Sequence, residues 1–165
     1  MATITSELTV RSRATSTGTG DTGTPIFTSL VETTSSQASG TTSGKQDLLW
    51  EDTASLVATT ADIDLAGSLT DKFGAAATFV EVTRLVIKNN ATTTGYNLTV
   101  GGGSNPWITW LKATGDGIVI APGGTFVLDN PIDGYAVTAT TGDILRLDSG
   151  ANTVSYTIQI LGRSA

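Results

Sequence analysis

Two aspartates one residue apart, Asp62 and Asp64, are the first residues whose types and spacing suggest chemistry. On a strand they share a face, where paired carboxylates can hold a calcium ion, with Asp71 as a third oxygen donor from the next loop. The same spacing describes an ordinary solvated strand face, because Ile63 and Leu65 point the other way, and that is the reading adopted. Asp129, Asp133, Asp143 and Asp148 stand beside turn residues, where aspartate is common for its local hydrogen bonding. Paired carboxyls can also hydrolyse glycosides, but only where they converge in a cleft with aromatic sugar platforms. Aromatic residues make up 6% of the chain, and nothing in the sequence brings two carboxylates together. Gly18, Gly20 and Gly23 spell G-x-G-x-x-G. A dinucleotide site would need a helix after them. Pro25 and a β-like run follow instead, so the triplet reads as coincidence in a glycine-rich segment.

Absences narrow the chemistry further. The 165 residues include no histidine and no cysteine. That excludes an imidazole base, a thiolate nucleophile, a disulfide scaffold and the usual zinc sites. Nine Lys and Arg against 15 Asp and Glu give a formal charge of -6, which repels a phosphate backbone. No nucleic-acid partner is expected. No stretch approaches a membrane-spanning length, and the N-terminus lacks the basic and apolar runs of a signal peptide. Neither a catalytic residue, a cofactor nor a metal is expected, and the chain is expected not to be an enzyme.

Trp107 and Trp110 are the most unusual pair. Read as part of a strand Trp107–Lys112, residues three apart point to opposite faces, so one indole is core and the other faces outward. An outward tryptophan marks a subunit contact or a sugar platform. Trp50 reads as an anchor where two segments meet. Asn90-Ala91-Thr92 and Asn97-Leu98-Thr99 match the glycosylation sequon by chance in so threonine-rich a chain.

The elements that must carry these residues are strands. Only 15% of residues are charged, while the chain holds 31 Thr and 19 Gly. Threonine's branched Cβ suits a pleated surface, and helix formers are scarce. Residues 1–45 read as a Thr/Ser/Gly-rich N-terminal arm with too little apolar area to offset its own ordering, and so either mobile or ordered only against something else. Within it, Ala2, Ile4, Leu8 and Val10 alternate with polar residues as one short strand, and a second runs from Pro25 to Val31, carrying Ile26 and Phe27.

Residues 46–165 read as a β-sandwich domain. Its strands are placed at Leu56–Leu65, Phe79–Lys88, Gly95–Val100, Trp107–Lys112, Gly117–Ala121, Thr125–Asp129, Tyr135–Thr140, Ile144–Asp148 and Thr153–Leu161. Turn residues lie between them, and a short helical turn is placed within Ala66–Ala77. Val154, Tyr156, Ile158 and Ile160 alternate cleanly with Ser155, Thr157 and Gln159, the mark of an antiparallel sheet with one wet face. The expected fold is all-β, an antiparallel β-sandwich of jelly-roll type with an extended N-terminal arm. Ile4, Leu8, Val10, Ile26, Phe27, Trp107 and Trp110 are the candidate interface residues.

Residues 106–165 resemble the C-terminal half of small jelly-roll structural proteins of tailed bacteriophage virions. The likeness rests on Pro106-Trp107-Ile108-Thr109-Trp110, the hairpin Gly117-Ile118-Val119-Ile120-Ala121-Pro122-Gly123-Gly124, the strand Asp133-Gly134-Tyr135-Ala136-Val137-Thr138-Ala139, and the ending Val154–Gly162. It implies a capsid decoration (cement) protein or a related head or tail component. Such a protein is made in the host cytoplasm, resides in the virion, forms a homotrimer and binds the major capsid protein or another virion protein. The resemblance implies no catalytic residues. A carbohydrate- or receptor-binding module of a fibre is the alternative.

Overall fold

A computed structural model describes residues 3–18, 26–67 and 69–165. The described residues contain strands, bridges and turns but no helix. Two strands come first, β1 (Ser6–Thr17) and β2 (Ile26–Ser39), followed by the two-residue β3 (Lys45–Gln46). The others are β4 (Leu48–Val57), β5 (Thr60–Asp64), β6 (Glu81–Asn89), β7 (Leu98–Gly101), β8 (Gly117–Ile120), β9 (Thr125–Asp129), β10 (Tyr135–Ala136), β11 (Ile144–Asp148) and β12 (Thr153–Arg163). One sheet runs β4-β12-β6, with β9 and β10 both on the far side of β6. A second runs β5-β11-β7-β8. The fold is an all-β antiparallel sandwich.

The inner faces of both sheets meet in one apolar cluster. Leu85, Ile87, Val154, Ile158 and Ile160 from the first sheet, and Leu98, Val100, Leu145 and Leu147 from the second, are all but sealed from solvent. Each fully buried aliphatic side chain of this kind contributes about 1.5–3 kcal/mol. The long central strand β12 pairs with β4 on one side and β6 on the other, so its alternation is the one most tightly enforced. A bulge at Leu161/Gly162 shifts its register against β6. Only glycine fits there, because a Cβ on Gly162 would collide with the Glu81 carbonyl.

Tyr156 is buried beside this cluster, and burial, with a smaller contribution from the Asp52 charge, pushes its phenol above the ordinary tyrosine range. The folded state therefore holds that proton more tightly than the unfolded chain does. The stabilisation is complete below the unfolded value, near pH 10, and is lost as pH rises through the higher folded value. Tyr156→Phe is expected to flatten the alkaline fall in stability above about pH 10; urea midpoints measured across that range check it.

Four local expectations are corrected. The single strand placed at Leu56–Leu65 is the end of β4 and the whole of β5. The chain leaves one sheet for the other at Ala58, whose φ of 49° breaks the strand, and the corner is tied by Ser149 Oγ donating to Thr59 O at 3.0 Å. The segment Trp107–Lys112 is a succession of turns, with Leu111 N donating to Ile108 O. Strand pairing in Tyr135–Thr140 stops at Ala136, since the chain then closes a tight turn in which Gly142 N reaches Thr138 O. The helical turn placed within Ala66–Ala77 is an Asx-type turn: Asp71 Oδ1 accepts from Phe73 N and Ala75 N, both at 2.8 Å.

Candidate interaction surface

The N-terminal segment is the least ordinary part of the molecule. β1 and β2 pair antiparallel without interruption from Ser6↔Gln37 to Thr17↔Ile26. Twelve pairs span roughly 40 Å at strand rise. Both strands run well past the short ones read in the sequence, through Ser/Thr stretches assigned to loop. Cross-strand threonine pairs hold them there: Thr9 and Thr34 hydroxyls lie 3.2 Å apart, and Thr15 and Thr28 3.5 Å apart. Met1, Ala2 and residues 19–25 lie outside the described residues. They take with them the Ala2 end of the alternating pattern, Pro25, and Gly20 and Gly23 of the glycine triplet.

Register sorts the hairpin side chains onto two faces. One carries Glu7, Thr9, Arg11, Arg13, Thr15 and Thr17 with Ile26, Thr28, Leu30, Glu32, Thr34 and Ser36. All four charges of the paired strands lie there, and Arg11 meets Glu32 at 3.3 Å. The other carries Ser6, Leu8, Val10, Ser12, Ala14 and Ser16 with Phe27, Ser29, Val31, Thr33, Ser35 and Gln37. It bears no charge.

At its root the uncharged face lies on the body. Ser6, Leu8, Ser35 and Gln37 are covered or half-covered, whereas Glu7, Thr9, Ser36 and Ala38 between them are exposed. The fastening is Arg84, from the outer face of β6. Its side chain is 2% exposed, and its Nε donates to Asp129 Oδ1 at 2.8 Å. Nη1 donates to Ser6 Oγ at 3.0 Å, and Nη2 to both the carbonyl and hydroxyl oxygens of Ser35 at 3.2 Å. One buried guanidinium thus joins β6, β9, β1 and β2. Gln37 Nε2 reaches Pro131 O at 3.4 Å, Gly44 N donates to the same carbonyl at 3.0 Å, and Ser43 Oγ donates to Ile132 O.

Beyond Leu8 the face is open. Val10 is 45% exposed, and Phe27 and Val31 are each 68% exposed, while on the opposite face Ile26 and Leu30 are exposed at 68% and 53%. Ile4 sits apart from this stripe, half-buried in a shallow groove with Leu48, Leu49 and Asp71. Leu8, Val10 and Phe27 lie on the uncharged face, and Ile26 lies on the other.

The tryptophans are not divided between core and surface. The turn at residues 107–112 brings both to the same side. Trp107 is 1% exposed, and its Nε1 donates to Ala136 O at 3.0 Å. Trp110 is half-buried, with its ring centroid 5.8 Å from that of Trp107 and 5.5 Å from that of Phe126. Its Nε1 is taken by Trp107 O. Trp107 therefore offers no surface to a partner. Trp50 packs half-buried against the core, as its position suggests.

The carboxylates are engaged locally. Asp62 takes a two-pronged hydrogen bond from Arg146, 2.6 Å at each oxygen, which holds its carboxyl below the usual aspartate value. Asp64 Oδ1 accepts from Ala66 N, and Asp71 holds its own turn. Among the described residues no three acidic side chains converge as metal ligands would.

Arg84, Ser6, Ser35 and Val31 were missed as site residues. The available signal was a lone charge inside the apolar strand Val82-Thr83-Arg84-Leu85-Val86, which requires a buried partner. Compared with protein-family models, with characterised proteins and with solved structures, the chain finds no match.

Proposed function

We propose that the chain is a non-enzymatic structural subunit of a virus particle, a capsid decoration (cement) protein that binds the major capsid lattice. The observation that carries this reading is the hairpin: a rigid sandwich presents a long, largely solvent-exposed ribbon rooted on one buried arginine. A two-stranded ribbon is marginal in water by itself, so a chain that extends one is built for a covered state. The strand order supports the reading at the level of the fold. β4-β12-β6-β9 facing β5-β11-β7-β8, with the chain crossing between sheets at most connections, is compatible with the two Greek keys of a jelly roll. Such folds serve in capsids and in lectins alike, so the fold alone does not choose between them.

Against the sugar-binding alternative, Trp107 is sealed in the core and the Trp110 indole N–H is already taken by Trp107 O. Against a carboxylate enzyme, Asp62, Glu81 and Asp129 each neutralise an arginine. The test is quantitative mass spectrometry of particles purified from the virus that encodes the chain. Recovery in copies proportional to the major capsid protein is expected. Recovery only in the soluble lysate would refute the proposal.

A further inference from the structure

We propose that the open part of the hairpin's uncharged face packs on the same face of another copy of this chain. This deepens the structural-subunit reading by naming the surface and its partner. Eight residue pairs, Val10↔Thr33 through Thr17↔Ile26, extend beyond the root, about 26 Å of ribbon. Over that length the face presents Val10, Ala14, Phe27 and Val31 among serines and a threonine. It continues without a break from the part the body already covers at Leu8 and Ser35.

Two quantities favour a second copy as the occupant. The chain exposes 8987 Å², whereas a compact protein of 16.9 kDa exposes about 7,700 Å². The excess, about 1,300 Å², is spread over both faces of the ribbon, which leaves roughly 650 Å² for one of them, close to the roughly 800 Å² each partner contributes to a standard interface. Charge supplies the second. At -6, two copies repel at a distance, and contact is tolerable only through a surface that brings no like charges together. The uncharged face meets that condition. The opposite face places Arg11, Arg13 and Glu32 along the same length, and a stacked copy would have to strip water from those charges. Stacked on its equivalent at ordinary sheet spacing, the uncharged face completes a four-stranded sandwich of two hairpins. The contact is self-complementary, as a two-fold axis between the copies requires.

The native chain has no cysteine, which gives a clean test. Val31→Cys on the uncharged face and Leu30→Cys on the opposite one are both exposed, at 68% and 53%, and neither touches the core. With a short bis-maleimide at micromolar protein, Val31→Cys is expected to give a covalent dimer and Leu30→Cys to remain largely single. Equal crosslinking of the two would overturn the inference. Light scattering gives a second measure. The native chain is expected at a multiple of 16.9 kDa, Val31→Asp at the single-chain mass, and Leu30→Asp at the native value. A native chain that stays single, or a Val31→Asp chain that keeps the native mass, would also overturn it. A single chain that still co-purifies with virus particles would refute the pairing and leave the structural reading standing. A paired chain absent from particles would do the reverse.

Discussion

Arg84→Met is expected to release the hairpin root and to lower stability by about 3–5 kcal/mol. The loss has two parts. Asp129, 19% exposed, keeps its charge without its counter-ion, and removing one partner of a buried pair is far costlier than replacing both. Ser6 and the Ser35 carbonyl lose their donor. Unmade bonds of that kind each cost about 1–3 kcal/mol. The double change Arg84→Met with Asp129→Leu is expected to recover much of the stability but not the docking of the hairpin. Urea unfolding reads the first effect. Limited proteolysis within residues 6–39, with 46–165 left intact, reads the second. A single variant that unfolds at the native urea midpoint would contradict this role for Arg84.

Trp107→Ala is expected to cost about 3–5 kcal/mol, since a large aromatic is removed from a sealed site. Trp107 lies edge-on to Tyr135 at 6.4 Å and tilted against Trp110, so its loss also loosens those rings. For a chain of this length each kcal/mol shifts Tm by about 2–4 °C, so a fall of roughly 10 °C is expected. Trp110→Ala is expected to cost less, because Trp110 is only partly buried at the outset. Calorimetry of the two variants gives the order. Unchanged Tm in Trp107→Ala, with an emission maximum in the native protein typical of water-exposed indole, would contradict the packing described.

These two residues also mark what was legible in the sequence. Most body strands followed directly from period-2 alternation, because one face of each sheet is sealed and a slip of one residue would turn its whole apolar set outward, but Leu48–Ser55 of β4 was not read as strand. Val154, Tyr156, Ile158 and Ile160 on β12 are the clearest instance. Trp107 and Trp110 were misplaced because a turn returns residues three apart to one side, and a short apolar run does not distinguish turn from strand. Leu56–Leu65 read as one strand because nothing at Ala58 advertises a positive φ; glycine or asparagine would have. The length of the hairpin was hidden for another reason. Its pairing rests on threonine against threonine and on an uncharged face with few large side chains, a signal indistinguishable from loop until the partner strand is known. Arg84 was visible as an anomaly, but its partners lie 45 to 78 residues away.

The central claim is that the hairpin exists to be covered in an assembly. Amide hydrogen exchange of the full chain across a range of protein concentrations tests it most directly. Amides that close the β1–β2 ladder outward of Val10 are expected to be protected, with protection rising as concentration rises, because a bare two-stranded ribbon frays. Exchange of those amides at unprotected rates at every concentration, while β6 and β12 stay protected, would contradict it.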